Sequence, residues 1–185
     1  MEAGGIVADL GDSGSKQQVK HHAMRKELWP RFAEFRDGFV EQLATFANDS
    51  FYVGTKRITM PVIDVRDDGW EDLHITLNFQ RLRLVYPTRL PMAAAQVTEE
   101  TDTGEYIGAP PAFEIRIYEE IGAGSRLYGA VQAGYHGEGT YTYHIWQRMG
   151  AKMIRKLGNG QNLSRETGRQ AAMKLIRHFY SLKSR

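Results

Sequence analysis

The chain of 185 residues contains no cysteine. That excludes disulfide bridges, thiolate catalysis and the cysteine-based zinc and iron–sulfur sites. No apolar run approaches the roughly 18 residues that a membrane-crossing helix requires, so no membrane association is expected. Residues Met1 to Gln18 carry Gly, Ser and Asp rather than a cationic stretch followed by an apolar one. A secretory signal is not expected there, and a cytoplasmic or organelle-interior location is. A Gly-rich phosphate loop, a dinucleotide fingerprint, a nucleophile elbow and an H-E-x-x-H zinc motif are all missing. The pair His21-His22 has no third ligand near it. No cofactor and no metal site are therefore expected, and a binding role is favoured over an enzymatic one.

Acids are also scarce, but only at one end. From Thr140 to Arg185 there are ten Lys/Arg and the single acid Glu166, a net charge of +9. The whole chain carries +2, which leaves −7 on residues 1–139. A cationic end of this kind attracts phosphates, an acidic protein surface or the acidic part of a second copy.

What the chain does contain is the make-up of an ordinary globular protein, 42% hydrophobic and 25% charged, and long enough to bury a core. Residues 1–17 are Gly/Ser/Asp-rich and read as a disordered tail, leaving 18–185 as a single domain. Leu28, Phe32, Phe35, Phe39, Leu43 and Phe46 recur at spacings of three and four, one apolar face of a helix, with Pro30 suited to its first turn. Phe51 to Arg66 is rich in β-branched residues, and Asp67-Asp68-Gly69 signals a turn. From Leu73 to Tyr86 apolar and polar residues alternate. The phase shifts by one near Gln80, which predicts a β-bulge. Residues 87–111 hold Glu99, Glu100, Asp102 and Glu105 and read as a long acidic loop. Alternation returns over 113–117, 126–133 and 140–148. Residues 150–157 suit a short helix or a last strand, which Gly158-Asn159-Gly160 ends. Ser164 or Thr167 then opens a helix to about Leu182, apolar on one half and cationic on the other with no acid opposite. The expected fold is α+β: an N-terminal helix, an antiparallel sheet of five to six strands, and an amphipathic C-terminal helix on one face, a two-layer sandwich.

Two segments resemble known families. Leu73-His74-Ile75-Thr76-Leu77 resembles the H-x-T/S-x signature of the 2H phosphoesterases. That resemblance implies that His74 and Thr76 would handle a phosphodiester, with a second histidine protonating the leaving oxygen. His136, His144 and His178 are not followed by the signature. Residues 158–174 are similar to the end of a double-stranded-RNA-binding domain, where a glycine turn leads into a basic helix start that grips phosphates. Here the helix start reads Ser164-Arg165-Glu166.

Three functions are compatible with these features. The favoured one is a non-catalytic protein that contacts nucleic acid, RNA rather than DNA, or a ribonucleoprotein, through Lys152, Arg155, Lys156, Lys174 and Arg177. The second is a homo-oligomeric assembly subunit of mobile-element or phage type, its acidic 87–111 loop docking on a neighbour's basic end. The third is a small-ligand cup, or a phosphodiesterase-like enzyme using His74 and Thr76.

Overall fold

The computed structural model describes residues 3–49, 51–58, 61–91, 112–137 and 139–183. The chain opens with helix α1 (Ala3–Thr45), whose side chains are described from His22 onward. Leu28, Phe32, Phe35, Phe39 and Leu43 fall on one side of it and are fully buried. Each of these phenylalanines contributes about 1.5–3 kcal/mol on burial. Because the helix starts at Ala3, it runs through the segment whose composition reads as a tail, and Pro30 lies inside it rather than in its first turn. There Pro30 offers no N–H to the carbonyl of Lys26. After Thr45 the turn tightens: the Phe46 and Ala47 N–H groups donate to the carbonyls of Leu43 and Ala44 at 3.1 and 3.2 Å. Phe46 is consequently outside the buried stripe and exposed.

Strands β1 (Phe51–Val53) and β2 (Lys56–Ile58) form a small separate hairpin. The main sheet has seven strands rather than five to six. They are β3 (Val62–Val65), β4 (Trp70–Leu77), β5 (Gln80–Pro87), β6 (Ala112–Ile121), β7 (Gly124–Gly137), β8 (Thr140–Arg148) and β9 (Ile154–Gln161). They lie side by side in chain order, every pair antiparallel. The count rises because Gly158-Asn159-Gly160 stays extended within β9 instead of ending it.

The shift of alternation near Gln80 is a turn, not a bulge. Leu77 pairs directly with Gln80, and Asn78 and Phe79 between them take φ values of 49° and 69°. Two left-handed residues are what a two-residue hairpin of the primed type requires. In that register Leu73 faces Leu84 and Ile75 faces Leu82. Odd positions on β4 therefore share a face with even positions on β5, so the phase must change at the turn. Bulges do occur between Ile117 and Tyr118, Tyr135 and Gly137, and Ile145 and Trp146.

The last helix, α2 (Arg165–Lys183), is capped by Ser164. Its Oγ accepts from the Thr167 N–H at 3.2 Å, and Thr167 Oγ1 accepts from the Ser164 N–H at 2.8 Å, a reciprocal cap. Ala171, Ala172, Leu175, Ile176 and Phe179 form its buried side. Together α1 and α2 cover one face of the sheet. Their apolar stripes pack on Leu73, Ile75, Leu82, Leu84, Phe113, Ile115, Ile117, Val131, Tyr143 and Ile145 in one core. The fold is thus an α+β two-layer sandwich. No helix among the described residues is long and apolar enough to cross a membrane.

Asn48 and Asp49 join the end of α1 to the sheet. Asn48 N–H donates to the Thr76 carbonyl (2.7 Å), Asp49 accepts from the Thr76 N–H (2.6 Å), and the Asn48 side chain accepts from the Asn78 N–H (2.8 Å). Asn78 in turn donates to the Phe179 carbonyl on α2 at 2.7 Å. On the far side α1 holds the chain as it leaves β5: Arg36 donates to the Pro87 carbonyl at 2.8 Å and Arg25 to that of Pro91. Residues 92–111, with the acids of the expected loop, lie outside the described residues.

Candidate functional site

The basic end folds around β9, which closes one side of the sheet and pairs with β8. Strand alternation sends Lys156 to the face without helices, opposite Trp146. It sends Arg155 to the helix side, opposite Gln147. Lys152 sits between β8 and β9, and Arg177 on the outer side of α2. These four cations are exposed.

Lys174 is placed differently. Its Nζ donates to the Tyr143 hydroxyl (2.7 Å) and to the Asn159 carbonyl (2.6 Å), and it lies 5.1 Å from the centroid of the Tyr143 ring. The two glycines of β9 make room for this. A Cβ at Gly158 would stand 3.1 Å from Lys174 Cδ, and one at Gly160 would stand 2.4 Å from the Tyr143 ring. The Gly-Asn-Gly run is therefore a flat floor under Lys174 and Tyr143. Lys174 thus fastens α2 to β9.

The cationic half of α2 is not bare, because α1 supplies acids that no local pattern in the C-terminal segment reveals. Arg165 contacts Glu34 at 3.3 Å, Asp37 at 3.8 Å and also Glu41, and Arg169 contacts Glu41 at 3.5 Å. The hydrogen bond from Arg165 holds the Glu41 carboxyl below its ordinary range. Being exposed, these pairs orient the helices more than they stabilise them. By contrast Lys152, Arg155, Lys156 and Arg177 make no ion pair among the described residues. Within the C-terminal segment these four carry unmatched positive charge on β9, on the link before it and on the outer side of α2.

The open face beside Lys156 carries rings. His144 and Trp146, successive outward residues of β8, stack with centroids 5.9 Å apart and planes at 29°. His144 faces Gln132 on β7 and Asn159 on β9. Its Nδ1 is buried with no hydrogen-bond partner. Burial, then Lys156 and His136, lowers the tendency of His144 to take a proton. On the helix side His178, bonded to the Tyr128 hydroxyl at 2.8 Å, is lowered by burial and then by Arg155. Burial pushes the Tyr128 hydroxyl itself up to about 12.

A pH dependence follows from these two histidines. Folding keeps both rings neutral below the ordinary imidazole value of about 6.5, whereas the unfolded chain protonates them there. The unfolded state then binds more protons, so this contribution is complete above about pH 6.5 and is lost as pH falls toward the folded values. The unfolding midpoint is expected to drop between pH 7.5 and 5.5. His144→Gln with His178→Gln should flatten that profile, and a flat wild-type profile would contradict the assignment.

His74 and Thr76 lie on β4, at the other side of the open face. The His74 ring is held between two carboxylates, with Nε2 3.1 Å from Asp64 and Nδ1 2.8 Å from Glu120. The carboxylates approach opposite sides of the ring, so they share no common point at which a cation would sit. Among the described residues no group of His, Asp and Glu is arranged to hold a metal. Thr76 uses its main chain to anchor Asn48 and Asp49. The next histidine on β8, His144, stands four strands away, about 19 Å at the usual ~4.8 Å spacing. The described residues thus bring no second imidazole to His74 from that strand.

No protein-family model, curated protein or solved structure matches the chain.

Proposed function

We propose that the chain is a non-catalytic nucleic-acid-binding protein that takes single-stranded RNA around the β9 edge of its sheet, from Lys156 on the open face to Arg155 and Arg177 on the helix side. The observation that carries this reading is the contrast among its C-terminal cations. Arg165 and Arg169 are matched by acids of α1 and Lys174 is bonded internally, whereas Lys152, Arg155, Lys156 and Arg177 have no acid partner among the described residues. Unmatched Lys/Arg side chains around one strand offer phosphates a track. The stacked pair His144 and Trp146 lies next to Lys156 on a face without helices, the position at which an unstacked base meets a ring. A single strand can splay its bases onto such a platform, which a duplex does not, and this favours RNA loops and ends.

The contribution of the platform is testable apart from charge. Trp146→Ala is expected to weaken binding of a labelled 20-nucleotide single-stranded RNA by about five- to a hundredfold, since one base–ring stack is worth roughly 1–3 kcal/mol. Fluorescence anisotropy measures it, with thermal unfolding of the variant as the control for folding. Unchanged affinity in a folded Trp146→Ala protein would remove the platform from the account.

A further inference from the structure

The sheet is open at both sides, and its two outer strands are complementary. Strand β3 pairs with β4 alone, and β9 with β8 alone, among the described residues. All four residues of β3 are exposed, Val62 at 58%, Ile63 at 52% and Val65 at 76%. The outer side of this strand is unpaired among the described residues and carries Val62, Ile63 and Val65, a template for another chain, with Asp64 as its one charge. On β9 the Asn159 carbonyl is taken by Lys174, which leaves Ile154–Leu157 as the uncovered stretch, the same length as β3. Ile154 is exposed there, beside exposed Met149 and Met153.

Register decides which edges fit. One transverse row crosses the whole open face: Asp64, Asp72, Val85, Arg116, Ala130, Trp146 and Lys156, one residue from each strand. Its two ends are an acid and a base. Seven antiparallel strands also mean that β3 and β9 run in the same direction. A copy placed so that the sheet continues would therefore add β3 in parallel to β9, with both open faces on one side. Extending the row then sets Asp64 of the added copy beside Lys156. Pairing β9 with a second β9 would bring together two strands that carry Arg155 and Lys156 and no acid, and pairing β3 with β3 would offer Asp64 no cation.

We infer that copies of this chain assemble head to tail, β9 of one adding to β3 of the next, with Lys156 and Asp64 selecting the register. Such a heterologous contact generates a ring where the rotation closes and a filament where it does not. The inference rests on strand edges rather than on the RNA reading; both use Lys156, so a copy docked on β9 competes with RNA there.

Light scattering over a concentration series of the full chain, at low and high salt, tests it. Wild type is expected to assemble with rising concentration, more readily at low salt. Lys156→Asp and Asp64→Lys are each expected to raise the concentration for half-assembly at least tenfold. The double variant should return to within about threefold of wild type. Thermal unfolding of each variant establishes that it is folded. A wild-type chain that stays monomeric, a single variant that assembles like wild type, or a folded double variant that does not recover would each overturn the inference. RNA affinity separates this from the binding proposal, because the charge swap restores assembly without returning a cation to position 156.

Discussion

Alanine at Gly168 is expected to lower stability by about 3 kcal/mol, at the upper end of what overpacking costs. The sign is the informative part. In a helix interior Gly→Ala ordinarily stabilises by roughly 1 kcal/mol, through propensity alone. Here the helices cross backbone to backbone. A Cβ on Gly168 would stand 2.0 Å from the Phe35 carbonyl oxygen and 2.9 Å from the Phe39 nitrogen. One on Gly38 would stand 2.0 Å from the Arg165 carbonyl oxygen. Neither clash is relieved by a rotamer change, because the obstacle is main chain in a packed helix. The helices would have to separate, which loosens the buried contact of Phe35 with Tyr143 and pulls Arg165 from Glu34 and Glu41. Gly38→Ala should behave alike, and the double variant should cost less than the two losses combined, since the first separation makes room for the second. Urea unfolding of the three variants measures this. Neutral or raised stability would show that α1 and α2 do not cross at these glycines.

Those glycines also show where sequence reading stops. The stripe Leu28 to Leu43 and the alternation of 73–77 announce a helix and a strand because each buries one side of one element, a local pattern of period 3.6 or 2. Gly38 and Gly168 carry no such pattern. Their meaning lies in a partner about 130 residues away, and a glycine inside a helix reads from sequence only as a weakness. The acids that answer Arg165 and Arg169 are equally distant, so the C-terminal helix looks unmatched in isolation. Strand β9 reads poorly because an edge strand lying under a lysine and a tyrosine needs glycines rather than alternating apolar residues. At Gln80 the period was legible and its cause was not, since a two-residue turn through Asn78 and Phe79 shifts the phase as a bulge does. For the candidate site, the residue types and the region were legible. The division into one internally bonded lysine and four unmatched cations was not, because it depends on which side of β9 and α2 each residue occupies.

That division yields the second large effect. Replacing Lys152, Arg155, Lys156 and Arg177 together by glutamate is expected to weaken single-stranded RNA binding more than a hundredfold near 0.1 M salt. The expected loss does not depend on sequence, because phosphates are contacted and not bases. All four side chains are exposed, so the protein should remain folded, exposed substitutions each costing no more than about 0.5 kcal/mol. Lys174→Glu provides the opposite pattern. It places a carboxylate against the Asn159 carbonyl and removes the donor to Tyr143, so its main effect is on stability. Similar loss of binding from Lys174→Glu in a fully stable protein would mean that Lys174 leaves its internal contacts to meet phosphate.

The salt dependence of wild-type RNA binding tests the central claim most directly. Four phosphates neutralised on a single strand predict a slope of about −2.8 in the logarithm of affinity against the logarithm of salt, or roughly fiftyfold between 50 and 200 mM. The four-glutamate variant should show a slope near zero over the same range. A wild-type slope near zero, or no measurable binding at 50 mM salt, would contradict a phosphate track around β9.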